Sequence, residues 1–180
     1  GLPAVSPVVA EHASEARRSG QVAFQDFYRS ESEQKIRLAI LVPILDEADG
    51  NRPLGVLVLR IDPAVYLYPF ISRWPVPSET AETMLIRREG NTALFLNELR
   101  FQKNTALQLR VSLTKDAELP AVKAVLGKEG IVEGRDYRGA PVLADVRAIP
   151  DSPWFMVARM DAAEVYAPVR QRLWVLVVLG

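Results

Sequence analysis

The stretch Trp154-Phe155-Met156-Val157-Ala158-Arg159-Met160-Asp161-Ala162-Ala163, with Pro168 beyond it, decides the reading of this chain because its pattern recurs. Its counterpart is Gly55-Val56-Leu57-Val58-Leu59-Arg60-Ile61-Asp62-Pro63-Ala64, with Pro69 beyond. Arginine, aspartate, alanine and proline fall at the same offsets in both, each set behind an apolar run. The two passages ask for the same structure. A buried strand ends, an aspartate caps the next helix, and a proline later disturbs that helix. Repetition of an order of elements says more about architecture than any one matched letter.

Working outward, the similarity extends backwards from both passages. Pro7 to Ser19 reads as a helix, with proline in the first turn and Gly20 where a C-terminal cap would stand. Pro120 to Leu126, closed by Gly127, is the matching helix. Between helix and repeat, the first half offers strands from Val22 to Tyr28, Ile36 to Leu45 and Leu54 to Ile61. The last two form an antiparallel hairpin in a sheet centre, turned by Asp49-Gly50-Asn51. The second half offers Ile131 to Tyr137, Pro141 to Ile149 and Trp154 to Met160. Asp26-Phe27-Tyr28-Arg29 echoes Arg135-Asp136-Tyr137-Arg138. The second half has more strands ahead of its helix. These are a hairpin of Thr83 to Arg88 with Thr92 to Leu96, and an alternating stretch from Ala106 to Leu113. Asp62-Pro63 opens a helix from Ala64 to Ile71, and Asp161 starts one running toward the C-terminus. Trp74-Pro75-Val76-Pro77-Ser78 excludes regular structure, since two prolines flank one residue. It reads as a linker, with Tyr66, Tyr68 and Phe70 packing the junction.

The expected class is therefore α+β, an antiparallel sheet flanked by helices, with a partial second copy of the same module at the N-terminus. The boundaries fall at residues 1–73 for the partial module and 74–168 for the complete one. Residues 169–180 begin a transmembrane helix. A span needs about 20 apolar residues, and the run from Leu173 to Gly180 is shorter. It is nevertheless edged by Arg170, Arg172 and Trp174, as a helix entering a bilayer would be. The chain accordingly reads as a fragment of a longer protein.

Composition excludes several functions. The sequence holds 22 basic and 22 acidic residues, so no single-sign field suggests nucleic acid as a partner. Cysteine is absent, which removes disulfides, thiolate catalysis and zinc–thiolate sites. The one histidine, His12, lies in the first helix, so neither a histidine triad nor a multi-histidine metal site can be built. No carboxylates stand at useful spacing from a nucleophile, and no glycine-rich phosphate loop occurs. Neither an enzyme nor a cofactor is expected.

The letters Asp136-Tyr137-Arg138-Gly139-Ala140-Pro141-Val142-Leu143, Ile149-Pro150, Ser152-Pro153-Trp154-Phe155-Met156-Val157-Ala158 and Asp161-Ala162-Ala163-Glu164 resemble the membrane-proximal half of double Cache domains. These are the PAS-like extracytoplasmic sensor modules of bacterial receptors. The resemblance covers nearly the whole chain and implies a PAS-like sheet. It also implies a periplasmic location, a homodimeric parent receptor anchored through the C-terminal helix, and a small-molecule ligand. The parent would be a histidine kinase, diguanylate cyclase or chemoreceptor. In the amino-acid-binding branch the ligand lies in the distal module, in a part that this chain lacks. An unliganded relay that couples a distal sensor to the membrane is the second reading.

Polar groups on second-module strands are the candidates for a ligand such as an amino acid, carboxylate or amine. They are Arg88, Arg100, Tyr137, Arg138 and Asp145, accompanied by Arg87 and Arg147. Arginine offers a planar, bidentate fork to an anion. Asp145 is set among Val142, Leu143, Ala144 and Val146. An antiparallel sheet often wets one face, which is the plainer place for such charges.

Overall fold

The computed structural model describes residues 6–170. Chain contacts divide it into two compact units, Gly1–Phe70 and Ile71–Gly180.

The first unit opens with helix α1, Pro7–Ser19, where Pro7 takes the first turn and Gly20 ends the helix at φ 68°. A left-handed residue at that place frees the chain to turn away and lets the Gly20 N–H reach the Ala16 carbonyl at 3.0 Å. Three antiparallel strands follow, β1 (Ala23–Arg29), β2 (Ile36–Asp46) and β3 (Arg52–Ile61), in the order β1-β2-β3. The centre of this sheet is β2. Among the described residues β3 pairs with β2 alone, so the hairpin expected at a sheet centre ends at an edge. Val9 and Ala16 of α1 close over Tyr28, Ala39 and Leu41, with Val56 and Val58 packed against them. Strand alternation sends Leu57, Leu59 and Ile61 to the other face, where each is more than a third exposed. Helix α2 is one short turn, Leu67–Ile71. The preceding residues form the turn that Asp62 caps, its carboxylate accepting from the Ala64 N–H at 3.0 Å.

The second unit begins with the irregular segment that its prolines require, then builds one six-stranded antiparallel sheet. Its strands are β4 (Glu82–Glu89), β5 (Thr92–Phe95), β6 (Arg110–Ser112), β7 (Gly130–Arg135), β8 (Pro141–Ala148) and β9 (Trp154–Asp161). They lie in the order β6-β5-β4-β9-β8-β7. The last strand in sequence, β9, thus sits at the middle, between β4 and β8. Helix α3, Pro120–Val125, lies on one face. Its Ala121, Val122 and Val125 pack with Met84, Ile86, Phe95, Val146 and Val157 into a continuous apolar core. Helix α4, Ala162–Val165, leaves directly from β9.

Two expectations change here. Ala106 to Leu113 forms a strand only over Arg110–Ser112. The Glu98 carboxylate accepts the N–H groups of Thr105 and Ala106 at 3.2 and 3.3 Å, and Thr105 Oγ1 accepts that of Leu99 at 2.8 Å. This loop closure overrides the alternation and drives Leu107 to φ 57°. Asp161 stands at the start of α4 but makes no side-chain cap, because its carboxylate is engaged elsewhere. No helix among the described residues is long and apolar enough to cross a membrane, and the run from Leu173 to Gly180 lies outside them.

Candidate functional site

Register places charge inside the second unit. Glu82 of β4 stands opposite Arg159 of β9, two residues along from the Met84–Val157 pair and four from Ile86–Phe155. Side chains alternate across a strand with period two, so Glu82 and Arg159 share the face that packs against α3. Arg159 is wholly buried and Glu82 is 5% exposed. Their contact is 2.6 Å.

The turn between β7 and β8 supplies the next members. Asp136 accepts the N–H groups of Arg138 at 2.9 Å and Ala140 at 3.1 Å, an Asx turn that fixes the loop. Its second oxygen meets Arg138 Nε at 2.6 Å and Arg159 at 3.1 Å. Arg138 also pairs with Asp161, whose carboxylate lies 3.0 Å from Arg159. The Tyr137 hydroxyl donates to Glu82 at 2.8 Å. The backbone N–H of Arg100 donates to the other oxygen of Glu82, and its guanidinium reaches the Ala81 carbonyl at 2.8 Å. Phe101 lies beneath three guanidinium groups, those of Arg138, Arg100 and Arg159, at 4.3, 5.4 and 5.5 Å from its ring centre. Such stacking favours cations held away from water.

Electrostatics follow from this packing. Burial, and then the hydrogen bond to Glu82, push the Tyr137 hydroxyl up to about 12. Burial works against the Arg138 charge, but hydrogen bonds to Asp136 and Asp161 outweigh it and raise its pKa. At the start of α4, Glu164 accepts hydrogen bonds from the Thr80 hydroxyl and, at 2.7 Å, from the Ser78 hydroxyl. These hydrogen bonds, Thr80 first, hold the Glu164 carboxyl down at about 2.

Of the residues singled out by sequence, the fold brings Arg100, Tyr137 and Arg138 together around Glu82 and Phe101. Arg88 is exposed, and its Nε donates to the Gly90 carbonyl at 3.1 Å beside the hairpin turn. Asp145 pairs with Arg147 at 3.0 Å. The apolar neighbours Val142, Ala144 and Val146 that drew attention to Asp145 lie on the opposite face of β8. Sequence reasoning passed over Glu82, Asp136, Arg159 and Asp161 as site residues. Arg159 and Asp161 did carry a signal, being two of the four letters repeated between the halves.

A cleft of about 480 Å³ opens beside this network. Asp136 and Tyr137 form part of its wall, with Leu109, Lys115, Glu118 and Arg135 around them. It joins apolar surface to charges of both signs, which suits a small zwitterion or carboxylate. The space under α3 is filled by side chains. Among the described residues no cluster of histidine, aspartate and glutamate could hold a metal ion.

No family model matches the sequence, and no curated protein matches it. Solved structures do match. The ligand-binding domain of Mlp24 with asparagine is 16% identical over 94% of this chain and 64% of its own, with a TM-score of 0.62. The ligand-binding domain of the Pseudomonas aeruginosa PAO1 amino acid chemoreceptor PctB in complex with L-Arg is 18% identical over 93% of this chain and 66% of its own, at 0.58. The extracellular domain of the putative histidine kinase mmHK1S-Z2 is 17% identical over 89% and 58%, also at 0.58. The chain therefore spans somewhat less than two thirds of these structures. At such identities the likeness speaks for the fold alone, an α+β, PAS-like arrangement of antiparallel sheet and helices.

Proposed function

We propose that this chain is the signal-sensing part of an extracytoplasmic receptor region, belonging to a histidine kinase, diguanylate cyclase or chemoreceptor. In this reading the second unit relays binding of a small molecule to α4 and onward to a membrane helix. The observation that carries it is the double engagement of Asp136 and Tyr137. Both wall the cleft; Tyr137 donates to Glu82 of β4, and Asp136 pairs with Arg159 of β9, the strand that leads into α4. A ligand that binds one arrangement of this turn better than another shifts β9 with it. Arg138 and Arg100 lie outside the cleft's lining, their guanidinium groups held by Asp136, Asp161 and the Ala81 carbonyl, so in this reading they position the turn and Phe101 while Lys115 and Arg135 of the wall face the ligand's carboxylate. Matched structures bound to asparagine and L-Arg make amino acids the first class to try. The first unit, a helix and three antiparallel strands ending in the repeated motif, is read as the C-terminal part of a second module. The receptor is read as a homodimer.

The test is isothermal titration of the chain against amino acids, carboxylates and amines, repeated with Tyr137→Ala. Saturable heat that the substitution abolishes supports the reading. Silence across the whole panel from a folded protein would sink it. A relay without a ligand of its own is the second reading, favoured by the filled core and by inward charges that pair with one another.

A further inference from the structure

The inward charges form a box with an unusual division of labour. Arg159 directs one terminal nitrogen to the Thr80 carbonyl and Asp161, both at 3.0 Å. The other meets Glu82 at 2.6 Å and Asp136 at 3.1 Å. The rings of Tyr137 and Phe101 each lie 5.5 Å from its central carbon. None of the three carboxylates needs Arg159 to hold its place. Glu82 is fixed by the Tyr137 hydroxyl at 2.8 Å and the Arg100 N–H, and Asp136 by two backbone N–H groups at 2.9 and 3.1 Å. Asp161 is fixed by Arg138, and its own N–H donates to Thr80 Oγ1 at 3.1 Å. Among the described residues Arg138 is the one cation besides Arg159 that pairs with these three carboxylates, the Arg100 guanidinium going to the Ser78 and Ala81 carbonyls, so the box lacks positive charge without Arg159. Arg159 supplies it, and its buried Nε finds no hydrogen-bond partner among the described residues. The box serves the planar end of a guanidinium and not its stem.

We propose that this box is a preorganised guanidinium-binding site, occupied in cis by Arg159 as a tethered ligand. It is thereby closed to free amines and guanidines. The inference goes beyond the sensor reading and holds whether or not the neighbouring cleft takes a ligand.

Arg159→Ala with free ethylguanidinium tests it. Losing one member of a buried ion network lowers the melting temperature by more than about 10 °C. Millimolar ethylguanidinium then restores several degrees of that loss, saturably, as a ligand of the folded state does. Sodium chloride at equal ionic strength does not. Arg159→Lys, whose stem still fills the entrance, gains nothing from ethylguanidinium. The proposal is overturned if ethylguanidinium does no more than sodium chloride for Arg159→Ala. It is equally overturned if that variant melts with the parent protein. Should Arg159→Ala not fold, the unaltered chain decides. A ligand-like Arg159 shows resolved, slowly exchanging terminal N–H protons by NMR, and one exchange-averaged signal contradicts it.

Discussion

Tyr137 shows how much one residue can carry in this fold. Its hydroxyl is the neutral donor in a charged network, and replacing it with phenylalanine leaves a Glu82 oxygen with one partner fewer in a buried place. Tyr137→Phe costs about 1–3 kcal/mol, read from urea unfolding of the second unit. The titration of Tyr137 makes a second check. Because its folded pKa is raised to about 12 from the ordinary 10.0, its contribution to stability is whole below pH 10 and is lost as pH climbs toward 12. Absorbance at 295 nm should show a tyrosine ionisation centred near pH 12 that Tyr137→Phe removes. Glu164 has the opposite sign. Its pKa, lowered to about 2 from 4.5, gives stability that is present above pH 4.5 and lost as pH falls toward 2. Melting temperatures of the parent and Glu164→Gln should differ at pH 6 and converge near pH 2; a constant gap would refute the assignment. Arg100, Tyr137 and Arg138 were legible in the sequence as polar groups on or beside strands. Glu82 and Arg159 were not, because they meet across two strands far apart in the chain, and only register decides that both point inward. Asp145 gives the converse lesson. Adjacent residues on a strand face opposite ways, so the apolar surroundings of Asp145 come from Ile131 and Ala158 across the sheet and not from Val142, Ala144 and Val146.

Among the elements, those with strong punctuation were readable. Pro7 and Gly20 delimit α1, and Gly90-Asn91 turns the β4–β5 hairpin at the Glu89–Thr92 pair. The stretch before β6 was misread because alternation competes there with a loop closed by Glu98 and Thr105, and polar capping prevails. Gly134 of β7 is a further element-scale constraint with no sequence signature. A Cβ at that position would lie 2.2 Å from the Glu118 carbonyl oxygen and 3.3 Å from Pro120. Gly134 lets β7 pass the segment that enters α3, with the Arg135 N–H donating to that carbonyl at 3.2 Å. Gly134→Ala must part β7 from this segment, at about 2 kcal/mol or more. Urea denaturation checks the value, and Gly134→Ala at parental stability would show that the close approach is not required.

For the whole molecule, the two units reuse one motif under different conditions. Arg159 is buried because β9 has strands on both sides, β4 bringing Glu82 to it and β8 placing Ala144 opposite. Arg60, its counterpart in the repeat, is exposed on β3 and reaches Glu33 only at 3.7 Å. Asp62 pairs instead with Arg37 of β2. The same letters therefore give a buried lock at a sheet centre and a surface pair at a sheet edge. The four letters repeat in the sequence; the difference between their two settings could not be seen there, because it depends on a neighbouring strand. Core size points the same way. The described apolar cluster of the first unit has five buried members, that of the second thirteen. Burial of apolar area is the main stabilising term, so the first unit should open at lower free energy. Native-state hydrogen exchange is the measurement. Amides of β3 should exchange by local or subglobal opening, orders of magnitude faster than those of β4, β8 and β9. Arg159→Ala should erase much of the protection in β9 while leaving β3 unchanged. Equal protection in β3 and β9, or a loss in both on removing Arg159, would mean that the two units open as one.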